Sequence, residues 1–181
     1  MNRSRITTHV ILLLVAATML AACSKDEEPG TKGNFVLNLY VETSETSETS
    51  IDFDELVAND NRPILLNFWA GACPPCRAEM PALEKAWKEH GDEVLFIGVD
   101  VGPYVGLGSY IQGRDIIDEF GITYITGNTF NRSIITDWQL SSMPSTFFLK
   151  ENGKVHDIVI GAISSSRLNQ KVLELIEAND G

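Results

Sequence analysis

Cys73 and Cys76, separated by Pro74 and Pro75, are the residues whose types and spacing suit them for chemistry. An apolar, aromatic run over residues 64–70 reads as a buried strand and passes through Gly71 into them. Proline is tolerated in a first helical turn, where the N–H would lack an intrahelical partner anyway. Pro74 and Pro75 therefore start a helix rather than break one. Cys73 then stands at the helix N-terminus, where the macrodipole and unpaired amides favour a thiolate. Cys76 lies one turn along the same face, near enough to close a disulfide with it. Such a pair can switch between dithiol and disulfide.

Two other uses of a Cys-x-x-Cys compete with this one. A zinc site needs four ligands, and the remaining candidates, Cys23, His9, His90 and His156, are scattered along the chain. A static bridge closing so short a loop constrains the unfolded chain very little, so stability is a poor reason for it. Redox exchange is the better reading, with no metal. Charge narrows the partners further. The formal net charge is -11, which argues against nucleic acid and against a polybasic membrane patch.

The segments around the cysteines resemble a known family over nearly everything after about Asn34. Phe68-Trp69-Ala70, the Cys-x-x-Cys, Pro81 five residues after the second cysteine, and Met143-Pro144-Ser145-Thr146-Phe147 are similar to the thioredoxin superfamily. Arg77-Ala78-Glu79-Met80-Pro81 resembles its membrane-tethered TlpA/ResA-type branch. The resemblance implies an α/β, thioredoxin-like three-layer fold, with a central mixed β-sheet flanked by helices. It also implies that Pro144 is a cis proline packed beside the cysteines and that the Met143 backbone pairs with an extended substrate. Trp69, Pro74 and Pro75 join Met143 as expected substrate contacts. Glu79, one turn after Cys76, matches a position that is acidic in ResA-like proteins, where a carboxyl can handle the Cys76 proton. A solvated helix acid is the other reading. Two departures stand out. Asn67 takes the place of an Asp common in thioredoxins, and Ala72 that of a Trp.

The start of the chain reads as an address. Arg3 and Arg5 precede an apolar run over residues 10–19 and then Leu20-Ala21-Ala22-Cys23, a secretory signal too short to span a bilayer. The cysteine after Leu-Ala-Ala resembles a bacterial lipoprotein box, with Cys23 as the lipid attachment site. Residues 1–22 are thus the signal, 23–33 a flexible tether and 34–181 the thioredoxin-like domain. Loss of Arg3 and Arg5 takes the formal charge to about -13. The expected place is the outer face of a bacterial membrane, where disulfides form.

The elements that must position the cysteines follow in order. Residues 35–41 alternate as a strand; the Ser/Thr/Glu repeat over 43–50 is a solvated loop. Residues 52–59 form a short helix, and the helix opened by the prolines runs to about Glu89, kinked at Pro81. Leu83, Ala86 and Trp87 give it a buried face. A second buried strand over 94–99 completes a βαβ unit with a right-handed crossover. Residues 102–108 lack the order of a phosphate loop and read as a mobile loop before a helix over 110–120. A strand over 122–126, a short helix over 133–138, a hairpin of 146–150 and 155–160 across Asn152-Gly153, and a helix over 165–177 follow.

The expected activity is thiol-disulfide oxidoreduction: reduction of disulfides in exported proteins, apocytochrome c among the candidates. Cys73 attacks and Cys76 resolves. No cofactor is expected beyond this redox pair; the expected partners are an exported disulfide-bearing protein and a membrane electron donor, with the enzyme a monomer. Alternatives are a disulfide oxidase or isomerase, a peroxide-reducing enzyme of the same fold, whose Pro-x-x-x-Thr-x-x-Cys motif is missing, and a copper-binding module, for which His156 is a poor distal ligand.

Overall fold

The computed structural model describes residues 32–40 and 48–179. The signal, Cys23 and most of the Ser/Thr/Glu repeat lie outside the described residues. Strands β1 (Val36–Leu39), β2 (Ser50–Asp52), β3 (Ile64–Trp69), β4 (Leu95–Asp100), β5 (Ile125–Asn128), β6 (Ser145–Leu149) and β7 (Val155–Ile160) form one mixed sheet. The helices are α1 (Phe53–Asn59), α2 (Pro74–His90), α3 (Gly102–Val105), α4 (Tyr110–Phe120), α5 (Ile134–Asp137) and α6 (Ser165–Asn179). The strand order is β2-β1-β5-β4-β3-β6-β7 among the described residues. β3, β4 and β5 run parallel, while β1, β6 and β7 pair antiparallel with their neighbours.

All six residues of β3 are buried, which is why its sequence reads as a continuous apolar run with Asn67 as its one polar member. Side chains alternate between the two faces. One parity sends Phe68 into an aromatic cluster with Phe35, Phe53, Trp138 and Phe147; the Phe35 and Phe53 rings stack at 4.8 Å and Phe68 lies 5.3 Å from Trp138. The other parity sends Asn67 toward α2, which buries Met80, Leu83 and Ala86 against the sheet. Because β3, β4 and β5 are parallel, the segments that leave their C-terminal ends, with the Cys73–Pro75 turn first among them, gather at one edge.

Several expectations need correction. The strand expected over 122–126 begins only at Ile125, because the preceding backbone is spent elsewhere. Gly121 takes a left-handed φ of 59° to cap α4, Ile122 N–H donates to Ile117, and Thr123 N–H donates to the Glu84 carboxylate. Residues 102–108 hold a helical turn, α3, closed by Gly106 at a φ of 69°, and not the open loop expected. Helix α2 continues through Pro81 to His90, with Pro81 on its exposed side. The final hairpin pairs Ser145–Leu149 with Val155–Ile160, one residue earlier on its first strand than expected.

Candidate active site

Cys73 and Cys76 form a disulfide with a Cα–Cα separation of 5.3 Å. Cys73 is the N-cap of α2, and its Sγ accepts a hydrogen bond from the Cys76 N–H at 3.3 Å. In an ordinary first turn the N2 and N3 amides are both placed to reach the cap side chain. Here Pro74 and Pro75 remove two amides, leaving Cys76 N–H as the donor in reach. Pro74, Pro75 and Ala72 are exposed, while Cys73 is 2% and Cys76 0% exposed. The sulfur expected to attack is thus nearly covered in the disulfide form, and the exposed face around it is built from Ala72 and the two prolines.

Two backbone hydrogen bonds hold this turn. Cys73 N–H donates to Ala70 O at 3.1 Å, and Ala72 N–H donates to Leu107 O at 2.7 Å. The second bond ties the residue before the attacking cysteine to the segment after β4. That segment is fixed by Asp100, whose Oδ1 accepts from Gly102 N–H at 2.9 Å and whose Oδ2 accepts from the Tyr40 hydroxyl at 2.7 Å. Asp100 is fully buried, and burial raises its pKa against the opposing effect of both hydrogen bonds. Gly113 lies so close that a Cβ there would strike this carboxylate. Asp100 escaped the sequence reading. Its signal was a lone acid ending an apolar strand at the C-terminal edge of a parallel sheet.

The Met143–Pro144 peptide is cis, as the resemblance implied. Ser145 pairs with Phe68, so Pro144 stands level with Trp69, at the edge where the cysteines sit. Pro144 O accepts from Gly161 N–H at 2.8 Å. Met143 is 9% exposed. Trp69 is a correction: it is fully buried, edge-on to Tyr40 at 6.3 Å, and its Nε1 has no hydrogen-bond partner among the described residues. A fully buried side chain has no surface to offer a substrate.

Glu79 is not a solvated helix acid. It is 2% exposed, its Oε1 accepting from Asn67 Nδ2 at 2.9 Å and its Oε2 from Ile163 N–H at 3.0 Å. Asn67 Nδ2 also donates to Thr146 Oγ1 at 3.0 Å, while Asn67 Oδ1 has no hydrogen-bond partner among the described residues. Burial pushes the Glu79 pKa up to about 7, overcoming the lowering by the Ile163 and Asn67 donors. A carboxyl poised there is suited to general acid–base work near neutrality. Arg77, the nearest cation in sequence, is engaged by Glu119 at 2.6 Å. Among the described residues no cluster of three or more His, Cys, Asp or Glu stands where it could hold a metal. Nor is any helix there long and apolar enough to cross a membrane.

Comparison with known proteins agrees with this geometry. The thioredoxin family profile matches residues 43–112. The thiol-disulfide oxidoreductase ResA of Oceanobacillus iheyensis is 28% identical over 175 residues, covering 92% of this chain and 86% of that protein. The crystal structure of StoA from Bacillus subtilis superposes with a TM-score of 0.60 at 20% identity, covering 77% of this chain and 96% of that one. That of an exposed lipoprotein thioredoxin from Streptococcus pneumoniae does so with a TM-score of 0.60 at 19% identity, covering 78% and 99%.

Proposed function

We propose, for a chain that belongs to the thioredoxin superfamily in its ResA-type branch and is a thiol-disulfide oxidoreductase, that its working direction is reduction of disulfides in exported proteins. The observation that carries this direction is the sparse stabilisation of a Cys73 thiolate. One backbone N–H reaches its sulfur, two prolines stand where amides would be, and Arg77 is paired with Glu119. A less stabilised thiolate means a more stable disulfide and a more reducing couple.

The exchange runs through two displacements. With the pair reduced, Cys73 thiolate attacks one sulfur of the substrate disulfide; an S–S bond forms to Cys73 and the other substrate sulfur leaves as thiolate. Cys76 then loses its proton to the Glu79 carboxylate and attacks Cys73 Sγ. This releases the second substrate thiolate and closes the Cys73–Cys76 disulfide. Two electrons have passed to the substrate, and its thiolates take up protons from solvent and Glu79. Cis Pro144 shapes the edge against which an extended substrate lies, its strand pairing with the Met143 backbone between Pro74, Pro75 and the Ser142–Pro144 turn. No dissociable cofactor enters these steps, and a dithiol partner must return the electrons.

Apocytochrome c is one substrate of the right chemistry, carrying paired thiols that must be reduced before use. Lipidation at Cys23 would tether a monomeric enzyme to the outer face of a membrane, with a membrane protein as donor. The lipoprotein box and the description of the pneumococcal structural relative as an exposed lipoprotein support this placement. Equilibration against glutathione tests the direction: a potential near that of thioredoxin, about -270 mV, is expected, and one above about -180 mV overturns it in favour of an oxidase or isomerase. Substrate capture on Cys76→Ser in the native host, which leaves the mixed disulfide unresolved, identifies the partner.

A further inference from the structure

The two most exposed large apolar side chains among the described residues are Ile111, at 73%, and Phe130, at 72%. Both lie at the edge that carries the disulfide. Phe130 follows the C-terminal end of β5, and Ile111 is in the first turn of α4, whose residues Gln112 and Gly113 pack against Gly71. Phe130 is tied to the residue beside Ile111 by a ring contact. Tyr110, next to Ile111, meets Phe130 edge-on at 5.8 Å and shares the Thr129 carbonyl with Tyr104. Tyr104 belongs to α3, in the same segment as Leu107, whose carbonyl holds Ala72. An apolar strip thus runs from the exposed Ala72 and Pro74 outward over this rim.

Two arginines flank the strip. Arg114, one turn after Ile111, lies over the Tyr40 ring at 5.4 Å, and Arg132 lies over Tyr104 at 5.9 Å. Both are exposed, and neither forms an ion pair among the described residues. The neighbouring carboxylates are Asp115 and Asp118 on α4 and Asp137 on α5, the last bonded to Ser133. In a chain of net charge -11, two exposed cations that no carboxylate pairs with among the described residues, beside exposed apolar side chains, make a surface complementary to an acidic, apolar partner. At about 0.15 M salt the Debye length is roughly 8 Å, so charges elsewhere on the protein are screened while contacts at the rim are not.

We infer that Ile111 and Phe130, flanked by Arg114 and Arg132, are a docking strip for the extended segment of the substrate protein next to its disulfide, selecting segments that combine large apolar and acidic residues. This rests on the thiol-disulfide exchange reading and adds to it the chemistry of the sequence recognised. Exposed aromatic and aliphatic anchors rimmed by arginine are typical of protein recognition.

The test uses the reduced protein and short synthetic peptides, each closed by one internal disulfide. Their flanks are either Leu/Phe or Ser/Gly, combined with either Glu or Lys; the uncharged 2-hydroxyethyl disulfide is the unflanked reference. At 0.15 M salt the Leu/Phe–Glu peptide should be reduced about three- to fivefold faster than the Leu/Phe–Lys peptide, the scale expected for two exposed ion contacts. Arg114→Gln with Arg132→Gln should erase that preference. Ile111→Ser with Phe130→Ser should slow both Leu/Phe peptides to the rate of the Ser/Gly ones. 2-Hydroxyethyl disulfide should be reduced equally by parent and variants, since it has neither charge nor large apolar flank to meet the four residues. Equal rates for Glu and Lys peptides, a Lys preference, or a Glu preference surviving in the arginine variant each overturn the docking strip while leaving exchange intact. Failure of the parent to reduce 2-hydroxyethyl disulfide or any peptide would overturn the exchange reading itself.

Discussion

Asn67 and Glu79, twelve residues apart in sequence, meet in the core at 2.9 Å, strand β3 donating its one polar side chain to the buried carboxyl of helix α2. The bond gives Glu79 a partner in its ionised form without adding a second titrating group. Asn67 Nδ2 is shared with Thr146 Oγ1 at 3.0 Å, which fixes the amide's orientation toward the carboxyl.

Glu79→Gln should therefore slow exchange by about 10²-fold, the lower end for loss of an acid–base group. It should also flatten the rise in rate expected of the parent around pH 7. Stopped-flow reduction of glutathione disulfide across pH 5–9 measures both. A rate and profile matching the parent would leave Glu79 a packing residue.

The same carboxyl makes stability pH-dependent. Its folded pKa, about 7, lies above the ordinary 4.5, so between these values the native state keeps a proton that the unfolded state has lost. Its stabilising effect is full below about pH 4.5 and is lost as pH rises through 7, with a slope approaching 1.4 kcal/mol per unit, to order of magnitude. Buried Asp100, also raised, acts in the same sense. Urea melts of the oxidised protein should show this fall, and Glu79→Gln should lessen it; a parent whose stability rises with pH across that window excludes the effect.

Asp100→Ala strands the Tyr40 hydroxyl and the Gly102 N–H in the core and frees the start of α3. A cost of about 2–4 kcal/mol in urea is expected, since two buried donors lose their acceptor. Reaction of the folded variant's reduced Cys73 with iodoacetamide should also change, because Leu107 no longer holds Ala72 firmly. Unaltered alkylation alongside lost stability would confine Asp100 to a structural role.

Pro75→Ala restores an amide at the second helical position, within reach of the Cys73 sulfur. The Cys73 thiol pKa should fall and the couple become less reducing by about 10–30 mV, where 30 mV is a tenfold change in equilibrium constant. Absorbance of the thiolate against pH, with glutathione equilibration, reads both; an unchanged pKa would mean that the missing amide is not what sets the potential.

Cys23→Ser should release the domain from membranes or leave residues 1–22 uncut. Fractionation with and without detergent checks this, and unchanged membrane association would remove the lipid anchor.

The redox pair, the helix it caps and the order of most elements were legible in the chain itself, because they depend on local rules. Proline fits a first helical turn, cysteines three apart share a face, apolar runs bury strands, and Asn-Gly turns a hairpin. The family motifs placed the cis Pro144, which spacing alone does not reveal. What local rules cannot supply is which distant groups share one buried volume. The fates of Glu79 and Trp69 were decided by the sheet, which set Asn67, Thr146 and the Ile163 amide around one and closed over the other. Asp100 became a support for the active turn because β4 lies beside β3, bringing Gly102, Tyr40 and Leu107 into one hydrogen-bonded chain. Burial and long-range pairing also set the pKa of Glu79, since desolvation is a property of everything packed around a group and not of its neighbours in sequence.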